Sequence, residues 1–388
     1  MKWLDAIHIQ RPFLSSRRMQ DRLKPHGVFV NRKRIQPLIL VMGIETLYHR
    51  RRAMARYATS RFSQRINDTD HSADHYEYRP MIIEKVNEVC AVFICYFPDR
   101  NLLEHALDAL RPQVGVVVIV DNGAQPDVRL WFKEQAQLHA IVHLVPGSNI
   151  GIAGGQNLGA RWATINGFSH VLLMDQDSVS RPRMVWQLHS ALTRLNRSGR
   201  KAAAIGPRII DARNGKPYPF IRLGVISNKI TVPDDYSEPI QTDILISSGT
   251  LISVKTLTIV GDMDESLFID NVDIEWCFRA ASMGFALYGL PGATMQHCLG
   301  DSFVMLWFFG WRQIIVHKPL RLYYIMRNRI RLYARKSTPR LWIAQDIPRL
   351  FAKLLIFSFI VAPRRKNLMM MGRGLIDAFA KSNNHAEK

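Results

Sequence analysis

Residues 171–178 read VLLMDQDS, four apolar residues followed at once by two aspartates on either side of a glutamine. The apolar run is typical of a strand that is buried in a parallel sheet. Asp175 and Asp177 are therefore candidate ligands, because Mg²⁺ and Mn²⁺ prefer carboxylate oxygens and leave positions open for substrate phosphates. A helix cap beside a solvated aspartate is the alternative interpretation. Gln176 has no predicted role beyond pointing back into the fold.

Strand and helix patterns alternate on both sides of this stretch, from about residue 85 to residue 299. The runs EVCAVFICYF, VGVVVIV and AIVHLV are rich in β-branched and aromatic residues, and the segments between them have helical spacing. This alternation predicts an α/β fold with a doubly wound, mostly parallel sheet. Ligands of such sheets bind beyond the carboxyl ends of the strands, where the polar motifs of this sequence lie.

One polar motif ends the second predicted strand, and another follows the third. Asp121, Asn122 and Gly123 end the second strand, where they suit either contacts to a base and ribose or a simple turn. The stretch GSNIGIAGGQNLGA, residues 147–160, predicts a glycine-rich loop that leads into a helix whose free N–H groups face an anion. It lacks the Gly-Lys-Ser/Thr of a Walker loop and the dinucleotide fingerprint, which disfavours ATP and dinucleotide binding.

A second acidic motif, FIDNVDIEWCFRA, predicts a helix that begins near Asn271. Carboxylates in a first turn can simply stabilise the helix dipole. Because the helix also has an apolar face, we expect Asp270, Asp273 and Glu275 to face the ligand crevice, where a carboxylate can act as a general base. His297 follows a predicted edge strand and is either a structural histidine or a ligand of a metal or diphosphate.

The composition favours an anionic partner without choosing it. The 388 residues carry a formal net charge of +20 and are 47% hydrophobic, which allows a substantial core. The four cysteines show neither a C-x-x-C pair nor zinc spacing, so we expect reduced residues in or near the core of a cytosolic protein. We expect no signal peptide, and no run reaches the ~18 to 20 apolar residues of a spanning helix.

Three regions are predicted from changes in composition. Residues 1–83 form a basic N-terminal extension of poor predicted order, and residues 84–301 form the α/β domain. Residues 302–388 contain FVMLWFFGWRQIIVH, RLYYIMRNRIRLYARK and LFAKLLIFSFIVAPRRK, in which aromatic and aliphatic residues interleave with Arg and Lys. These runs predict amphipathic helices that either lie at a membrane interface or cover the catalytic core.

The motifs, in this order, resemble the inverting glycosyltransferases of the GT-A fold, and more narrowly the bacterial rhamnosyltransferases of family two. The resemblance runs from about residue 89 to residue 301. It rests on DNG, SNIGIAGGQNLG, LLMDQDS, AAIGPRIID, ISSGTLI, MDESLFIDNVDIEWCFRA and LYGLPGATMQHCLGD. One departure is CYFPD, in which Phe97 replaces the amide of the family's Tyr-Asn-Pro, so recognition of the base would rest more on stacking.

The resemblance implies a role for each matched residue. Asp175 and Asp177 would hold Mg²⁺ or Mn²⁺ and the donor diphosphate, and His297 would complete the metal site. Asp273 would be the catalytic base, with Glu275 as the second acidic residue of the catalytic motif. The remaining matches would bind the nucleotide sugar (Asp121, Asn122, Asn149, Gly151, Asn157) or line the sugar and acceptor site (Ser248, Gly249, Thr250).

The resemblance also implies a reaction and a place. The donor would be dTDP-L-rhamnose and the acceptor a lipid-linked glycan of a cell-surface polysaccharide such as O-antigen, part of lipopolysaccharide. The enzyme would be a peripheral protein on the cytoplasmic face of the inner membrane. Alternatives are a family-two transferase for galactofuranose or N-acetylglucosamine and, from another class, a basic nucleic-acid-binding protein. Because no nucleic-acid motif is recognised, we expect no nucleic-acid partner.

Overall fold

The computed structural model describes residues 84–139, 141–225, 229–230, 232–233, 236–297, 302–307 and 311–380. The predicted N-terminal extension lies outside these residues, as does Cys298. The division of the chain into three regions therefore stays a prediction.

The strands, in chain order, are β1 (Val86–Cys95), β2 (Val114–Asp121), β3 (Ile141–Leu144), β4 (His170–Asp175), β5 (Val179–Ser180), β6 (Ala202–Asp211), β7 (Phe220–Ile221), β8 (Lys229–Ile230), β9 (Ile240–Thr242), β10 (Leu251–Ser253), β11 (Ala286–His297), β12 (Ser302–Trp307) and β13 (Trp311–Val316). The helices are α1 (Arg100–Leu110), α2 (Pro126–Leu138), α3 (Gly151–Ile165), α4 (Met184–Arg197), α5 (Val254–Val260), α6 (Val272–Ser282), α7 (Pro319–Tyr333), α8 (Arg340–Phe359) and α9 (Arg364–Phe379).

The central sheet has the strand order β3-β2-β1-β4-β10-β6-β11-β5, and β9 also pairs with β11. Strand β1 runs parallel to both neighbours, with Cys95 opposite Asp121 on β2 and Ile94 opposite Asp175 on β4. The short β10 is antiparallel to β4 and β6. The predicted α/β class with a mostly parallel sheet is confirmed. Because β2, β1 and β4 run the same way, the motifs that follow them meet at one edge.

Helices cover both faces of this sheet, as the near-continuous apolar strands require. Ala91 and Phe93 of β1 pack in the hydrophobic cluster that includes α1, α2 and α4. Val92 and Ile94, which point the other way, pack in the cluster that includes α3 and α6. The sheet is therefore the middle layer of three.

The glycine-rich stretch is mostly helix, which differs from the predicted loop. Helix α3 already begins at Gly151, and Gly155 and Gly159 lie inside it. A Cβ at Gly159 would lie 2.2 Å from Cγ1 of Val92, and one at Gly155 would lie 3.0 Å from Ile94. These glycines therefore allow the helix to approach β1 closely, rather than shaping a loop around an anion.

In the described part of the C-terminal region, the first helix begins at Pro319. The run FVMLWFFGWRQIIVH, predicted as a helix, contains the antiparallel pair β12 and β13. Its aromatic and branched residues suit a strand, and an almost wholly apolar run does not reveal its period. Helices α7, α8 and α9 then pack around a cluster that includes Leu322, Phe357 and Met371. Within the described part of the chain, every helix is too short or too polar to span a bilayer.

Three cysteines are free and buried, as the sequence predicted. Cys90 and Cys95 lie on β1, and Cys277 lies on α6. Burial raises the pKa of the Cys90 and Cys277 thiols to about 12. All three are therefore protonated core residues near neutral pH.

Candidate active site

An open cavity of about 500 Å³ lies where β1, β4 and β11 end. Its lining includes Asp175, Asp177 and His297. Asp273 lines it from the first turn of α6. The structure therefore brings the predicted base together with the predicted metal ligands, of which Asp175 and Asp177 precede it by nearly a hundred residues and His297 follows it.

Asp175, Asp177 and His297 form a group whose possible ligand atoms all lie within 4.8 Å of one another. Nδ1 of His297 is 3.4 Å from Oδ1 of Asp177, and its Nε2 is 3.8 Å from Oδ2 of Asp175. Two carboxylates and an imidazole are a common ligand set for divalent cations. The residues present therefore fit the predicted metal. His297 is the last residue of β11, which has neighbours on both sides in the sheet, so the prediction that it follows an edge strand was wrong.

Two buried hydroxyl groups hold this group in place. Oγ of Ser178 is 2.9 Å from Nδ1 of His297 and 2.7 Å from Oγ of Ser248. The Ser248 hydroxyl also accepts a hydrogen bond from the backbone N–H of Asp175 at 3.0 Å. Ser248 was predicted for the sugar and acceptor site, and it instead supports the group formed by Asp175, Asp177 and His297. Ser178 was missed, and its only signal was its place directly after the two aspartates.

The electrostatics of the group favour a bound cation. Burial raises the pKa of Asp175, and the nearby charge of Asp177 adds to this although His297 and Arg321 oppose it. Burial lowers the pKa of His297, but its contacts with Asp177 and Asp175 outweigh this and leave it above its ordinary value. The two carboxylates therefore concentrate negative charge that a divalent cation would neutralise.

Asp273 has the surroundings of a general base. Burial raises the pKa of its carboxyl to about 6, helped by Asp270 and Asp175 and opposed by the backbone N–H groups of Ile274 and Ser247. The N–H of Ile274 donates to its Oδ1 at 2.8 Å. A base whose pKa lies near the working pH is ionised when needed and still accepts a proton readily.

The loop before Asp273 is strained and is held by α7. Phe268, Asp270 and Asn271 have φ values of 64°, 63° and 63°, which are uncommon outside glycine. The side-chain amide of Asn328 donates to three backbone carbonyls of residues 267–270, at 2.7–2.9 Å. Arg321 pairs with Asp270 at 3.0 Å and lines the cavity. Sequence reasoning missed both α7 residues, because nothing near them in sequence indicates this contact.

Glu275 does not face the cavity, so that part of the prediction was wrong. Its side chain is 1% exposed and lies 2.9 Å from Arg279 and 2.8 Å from Arg335. Arg335 also pairs with Asp264. Two positions along an α-helix correspond to a rotation of about 200°, so Asp273 lines the cavity while Glu275, on the opposite face, joins α6 to the segment after α7.

Asp121 and Asn122 are buried in contacts within the protein. Burial raises the pKa of Asp121, but hydrogen bonds from Arg129 and from the backbone of residues 123 and 124 outweigh this and lower it. The Arg129 Nε donates to Asp121 at 2.7 Å. The Asn122 amide donates to the carbonyl of Gly151 at 2.7 Å and so joins β2 to the start of α3. Direct contact of these two residues with a nucleotide stays a prediction.

The other residues predicted around the donor are also tied to the backbone. Asn149 accepts from the N–H of Gly151 at 2.9 Å, and Asn157 donates to the carbonyl of Met263 at 2.9 Å. The N–H of Ile152 donates to the carbonyl of Phe268 at 2.7 Å, so the start of α3 does not present this group to an anion. Of the residues in these contacts, Ile152 lines the cavity.

Gly249 and Thr250 lie deeper in the sheet. The N–H of Gly249 donates to the carbonyl of Leu173 at 2.7 Å, and the carbonyl of Thr250 accepts from the N–H of Leu173 at 3.0 Å. Both residues are buried, so the structure places them beneath the cavity.

Gln176 has a task that the sequence did not show. Its Oε1 accepts from the backbone N–H of Tyr96 at 2.9 Å, and its Nε2 donates to the carbonyl of Tyr96 at 3.3 Å. The side chain thus extends the pairing of β1 and β4 by one residue and fixes Tyr96 at the rim. Phe97 packs edge-to-face on Tyr96 and is 60% exposed, so this departure from the family motif offers an aromatic surface.

The chain is similar in sequence to curated proteins and in fold to solved structures. No protein-family model matches the chain. The dTDP-rhamnosyl transferase RfbF of Shigella flexneri is 30% identical over 292 residues, which cover 75% of this chain and 94% of that protein. The low-salt glycan biosynthesis hexosyltransferase Agl10 of Haloferax volcanii is 27% identical over 178 residues, which cover 43% of this chain and 53% of that protein. The crystal structure of S. aureus TarS 1–349 in complex with UDP-GlcNAc has a TM-score of 0.48 and 12% identity, with 75% of this chain and 81% of that chain covered.

Proposed function

Because the chain belongs to the family-two glycosyltransferases that include the dTDP-rhamnosyl transferase of Shigella flexneri, we propose that it transfers L-rhamnose from dTDP-L-rhamnose to a hydroxyl group of a lipid-linked glycan. The observation that carries this proposal is the shared cavity in which the acidic metal group lies together with Asp273, a carboxylate whose pKa is raised to about 6. The 30% identity to a rhamnosyl transferase supports the choice of sugar.

We propose that Asp175, Asp177 and His297 hold Mg²⁺ or Mn²⁺. When bound, such an ion neutralises a diphosphate and stabilises the charge that develops as the diphosphate leaves. Ser178 and Ser248 keep the imidazole and the Asp175 backbone oriented, so the ligands need little rearrangement.

The proposed reaction is a single displacement. Asp273 takes the proton from the acceptor hydroxyl while that oxygen attacks the anomeric carbon from the side opposite the diphosphate. The new carbon–oxygen bond forms as the bond to the nucleoside diphosphate breaks, and the anomeric centre inverts. The strained loop and Asn328 fix the position of Asp273, which matters because misplacing a reacting group by about 1 Å can cost roughly 10²-fold in rate.

We propose that the nucleotide base stacks at the rim formed by Tyr96 and Phe97. Tyr96 lines the cavity, and Phe97 packs edge-to-face against it with ring centroids 4.8 Å apart. Asp121 and Asn122 would then act mainly by supporting the wall next to the base.

A peripheral membrane location is also proposed. Four exposed apolar residues recur every fourth position along α8: Ile347, Phe351, Leu355 and Phe359. Residues so spaced share one face of a helix, and the exposed basic run 364–366 follows at the start of α9. An apolar face with basic neighbours suits the interface of an anionic bilayer, where a lipid-linked acceptor of O-antigen type would be found on the cytoplasmic side.

A panel of donors tests the reaction. Purified full-length chain is incubated with dTDP-L-rhamnose, UDP-galactofuranose or UDP-N-acetylglucosamine, with Mg²⁺, with Mn²⁺ or with EDTA. Water takes the place of the acceptor hydroxyl, and the release of the nucleoside diphosphate by hydrolysis is measured. We expect turnover of dTDP-L-rhamnose that EDTA abolishes and that excess metal restores. Preference for another donor would overturn the choice of sugar, and full activity in EDTA would overturn the metal site. Agl10, named as a hexosyltransferase, is the reason that other hexoses belong in the panel.

A further inference from the structure

A second group of possible ligands lies at the opposite end of the sheet. Glu88 of β1, His170 of β4 and His189 of α4 each offer one ligand atom, and these atoms lie within 4.8 Å of one another. His170 is the first residue of β4 and Asp175 the last, so the group lies about 16 Å along the strand from the active site at ~3.3 Å per residue. The proposed glycosyl transfer uses none of these three residues.

The spacing of the group is close to that of a metal site. Nε2 of His189 and Oε2 of Glu88 are 3.4 Å apart. Two ligands bonded at about 2.0–2.2 Å in a tetrahedral arrangement lie roughly 3.4 Å from each other. The His170 and His189 rings meet edge to face, with centroids 4.7 Å apart. Three elements thus converge on one point.

The group has a partner that orients its ligands. Oγ of Ser169 is 2.8 Å from Nδ1 of His170 and 3.4 Å from Oε2 of Glu88. A hydroxyl between an imidazole and a carboxylate can accept from the first and donate to the second, which selects one tautomer of the ring. Contacts of this kind commonly orient histidine ligands of metals.

The local backbone and surface also suit a metal site. The pairing of β1 with β2 changes register between Val86 and Cys90, and irregularities of this kind re-aim side chains. Glu88 lies in this interval with its side chain 66% exposed, so it has room to adjust. An open cavity of about 560 Å³ borders His189 and gives an entry path.

We propose that Glu88, His170 and His189 bind one divalent transition-metal ion, with Zn²⁺ as the best match. Two imidazoles and one carboxylate are a known Zn²⁺ ligand set, whereas Mg²⁺ and Ca²⁺ prefer oxygen ligands alone. The ion joins β1, β4 and α4, so its effect is to stabilise the end of the sheet away from the cavity. This inference does not depend on the proposed reaction.

Zinc titration of the full chain tests the site. The chain carries no histidine tag and has the substitution His297→Ala, which removes the active-site imidazole, and EDTA is dialysed away beforehand. Zn²⁺ alone is titrated by calorimetry, and the Tm is recorded with and without it. We expect a Zn²⁺ site whose affinity falls by at least about tenfold in Glu88→Gln and more in His189→Gln. Zn²⁺ should raise the Tm of the parent chain, and Mg²⁺ should not bind this group.

The control is His105→Ala, since His105 is an exposed histidine on α1. It should bind Zn²⁺ as the parent does. Equal Zn²⁺ affinity in His105→Ala and His189→Gln would overturn the proposal, as would a Tm of the parent that Zn²⁺ leaves unchanged. If the His189 variant folds poorly, Glu88→Gln still tests the proposal. Glu88 is exposed and glutamine has nearly the same shape, so this variant should fold.

Discussion

Asp121 and Asp273 are carboxylates at the same edge of the sheet, yet their surroundings shift their pKa values in opposite directions. Burial raises the pKa of both, but a guanidinium and two backbone N–H groups outweigh burial at Asp121. Asp273 has backbone donors only and lies near two other acidic residues, so its pKa stays raised at about 6. Asp121 therefore stays ionised in its contacts within the protein, and Asp273 can take up a proton.

Replacing the proposed base tests this division. Asp273→Asn should lower kcat by at least about a hundredfold, since a positioned base contributes ~10² to 10⁴-fold. Its Tm at pH 8 should be equal or higher, because the half-buried carboxylate, whose pKa rises from 3.8 to about 6, costs stability when ionised. Asp127→Asn replaces an exposed aspartate of α2 and is the control for kcat, which it should leave unchanged. Near-normal turnover by a folded Asp273→Asn would contradict the assignment.

The pH dependence of kcat/KM follows from the same residue. Asp273 works ionised, so kcat/KM should fall with decreasing pH below about pH 6, by tenfold for each unit. A cation bound near Asp175 would favour the ionised form, so saturating metal should move this limb to a lower pH. Initial rates from pH 4.5 to pH 8 measure it. The limb should be missing from the residual activity of Asp273→Asn, and its survival there would assign it to another group.

At the scale of elements, the start of α3 and the strained loop depend on each other. A Cβ added to Gly151 would lie 2.5 Å from the carbonyl oxygen of Phe268, and the N–H of Ile152 donates to that same oxygen. Phe268 in turn stacks on Tyr324 of α7, with ring centroids 5.1 Å apart. Contacts between distant parts of the chain thus fix the loop that precedes Asp273.

Alanine substitutions at two glycines with similar backbone angles distinguish the cost of backbone strain from the cost of a steric clash. Gly151 and Gly147 have φ values of 75° and 85°, and only Gly151 has neighbours within 4 Å of an added Cβ. Gly147→Ala should cost about 1–2 kcal/mol through the backbone alone. Gly151→Ala should cost a further ~1–3 kcal/mol from the clash and should also lower kcat. Urea unfolding and initial rates measure both effects, and equal losses in the two variants would show that the Phe268 contact is unimportant.

The sequence predicted β1 to β4 of the sheet but not β6 or β10, and it predicted few of the contacts between elements. Strands β1, β2 and β4 were predicted because their apolar runs are long enough to bury on both faces, and their polar ends located the cavity. The contact of Asn157 with Met263 joins residues 106 positions apart, and no local pattern encodes such pairs. The roles of Asn328 and Arg321 were missed for this reason. The hairpin of β12 and β13 was missed because its run shows neither period clearly.

At the scale of the whole molecule, the C-terminal helices present two separate groups of residues. Helix α7 contacts the loop beside the candidate active site through Asn328 and Arg321. Helix α8 exposes its apolar face, with Phe351 60% and Phe359 69% exposed. Both alternatives drawn from the sequence, a cover for the core and a membrane contact, therefore have residues that suit them.

Membrane binding can be tested on that apolar face. The double substitution Phe351→Ser with Phe359→Ser should weaken binding to vesicles that contain anionic phosphatidylglycerol by at least about tenfold, since burying one Phe is worth about 1.5–3 kcal/mol. Cosedimentation measures binding, and added salt should weaken what remains. Leu138→Ser with Ile165→Ser removes two exposed apolar residues elsewhere and should have no effect. Equal loss in both double variants would exclude a specific membrane face on α8.

The buried thiols can be used to measure local unfolding of the elements that contain them. Cys90 and Cys95 lie in β1 and Cys277 in α6, and none is reachable by a reagent while its element is closed. In a chain with Cys298→Ser, the rate at which a maleimide modifies each thiol then measures how often β1 or α6 unfolds locally. Since Cys90 is two residues from Glu88, Zn²⁺ should slow its alkylation more than that of Cys277. The same reaction would reveal which part of the enzyme comes apart first as the temperature rises.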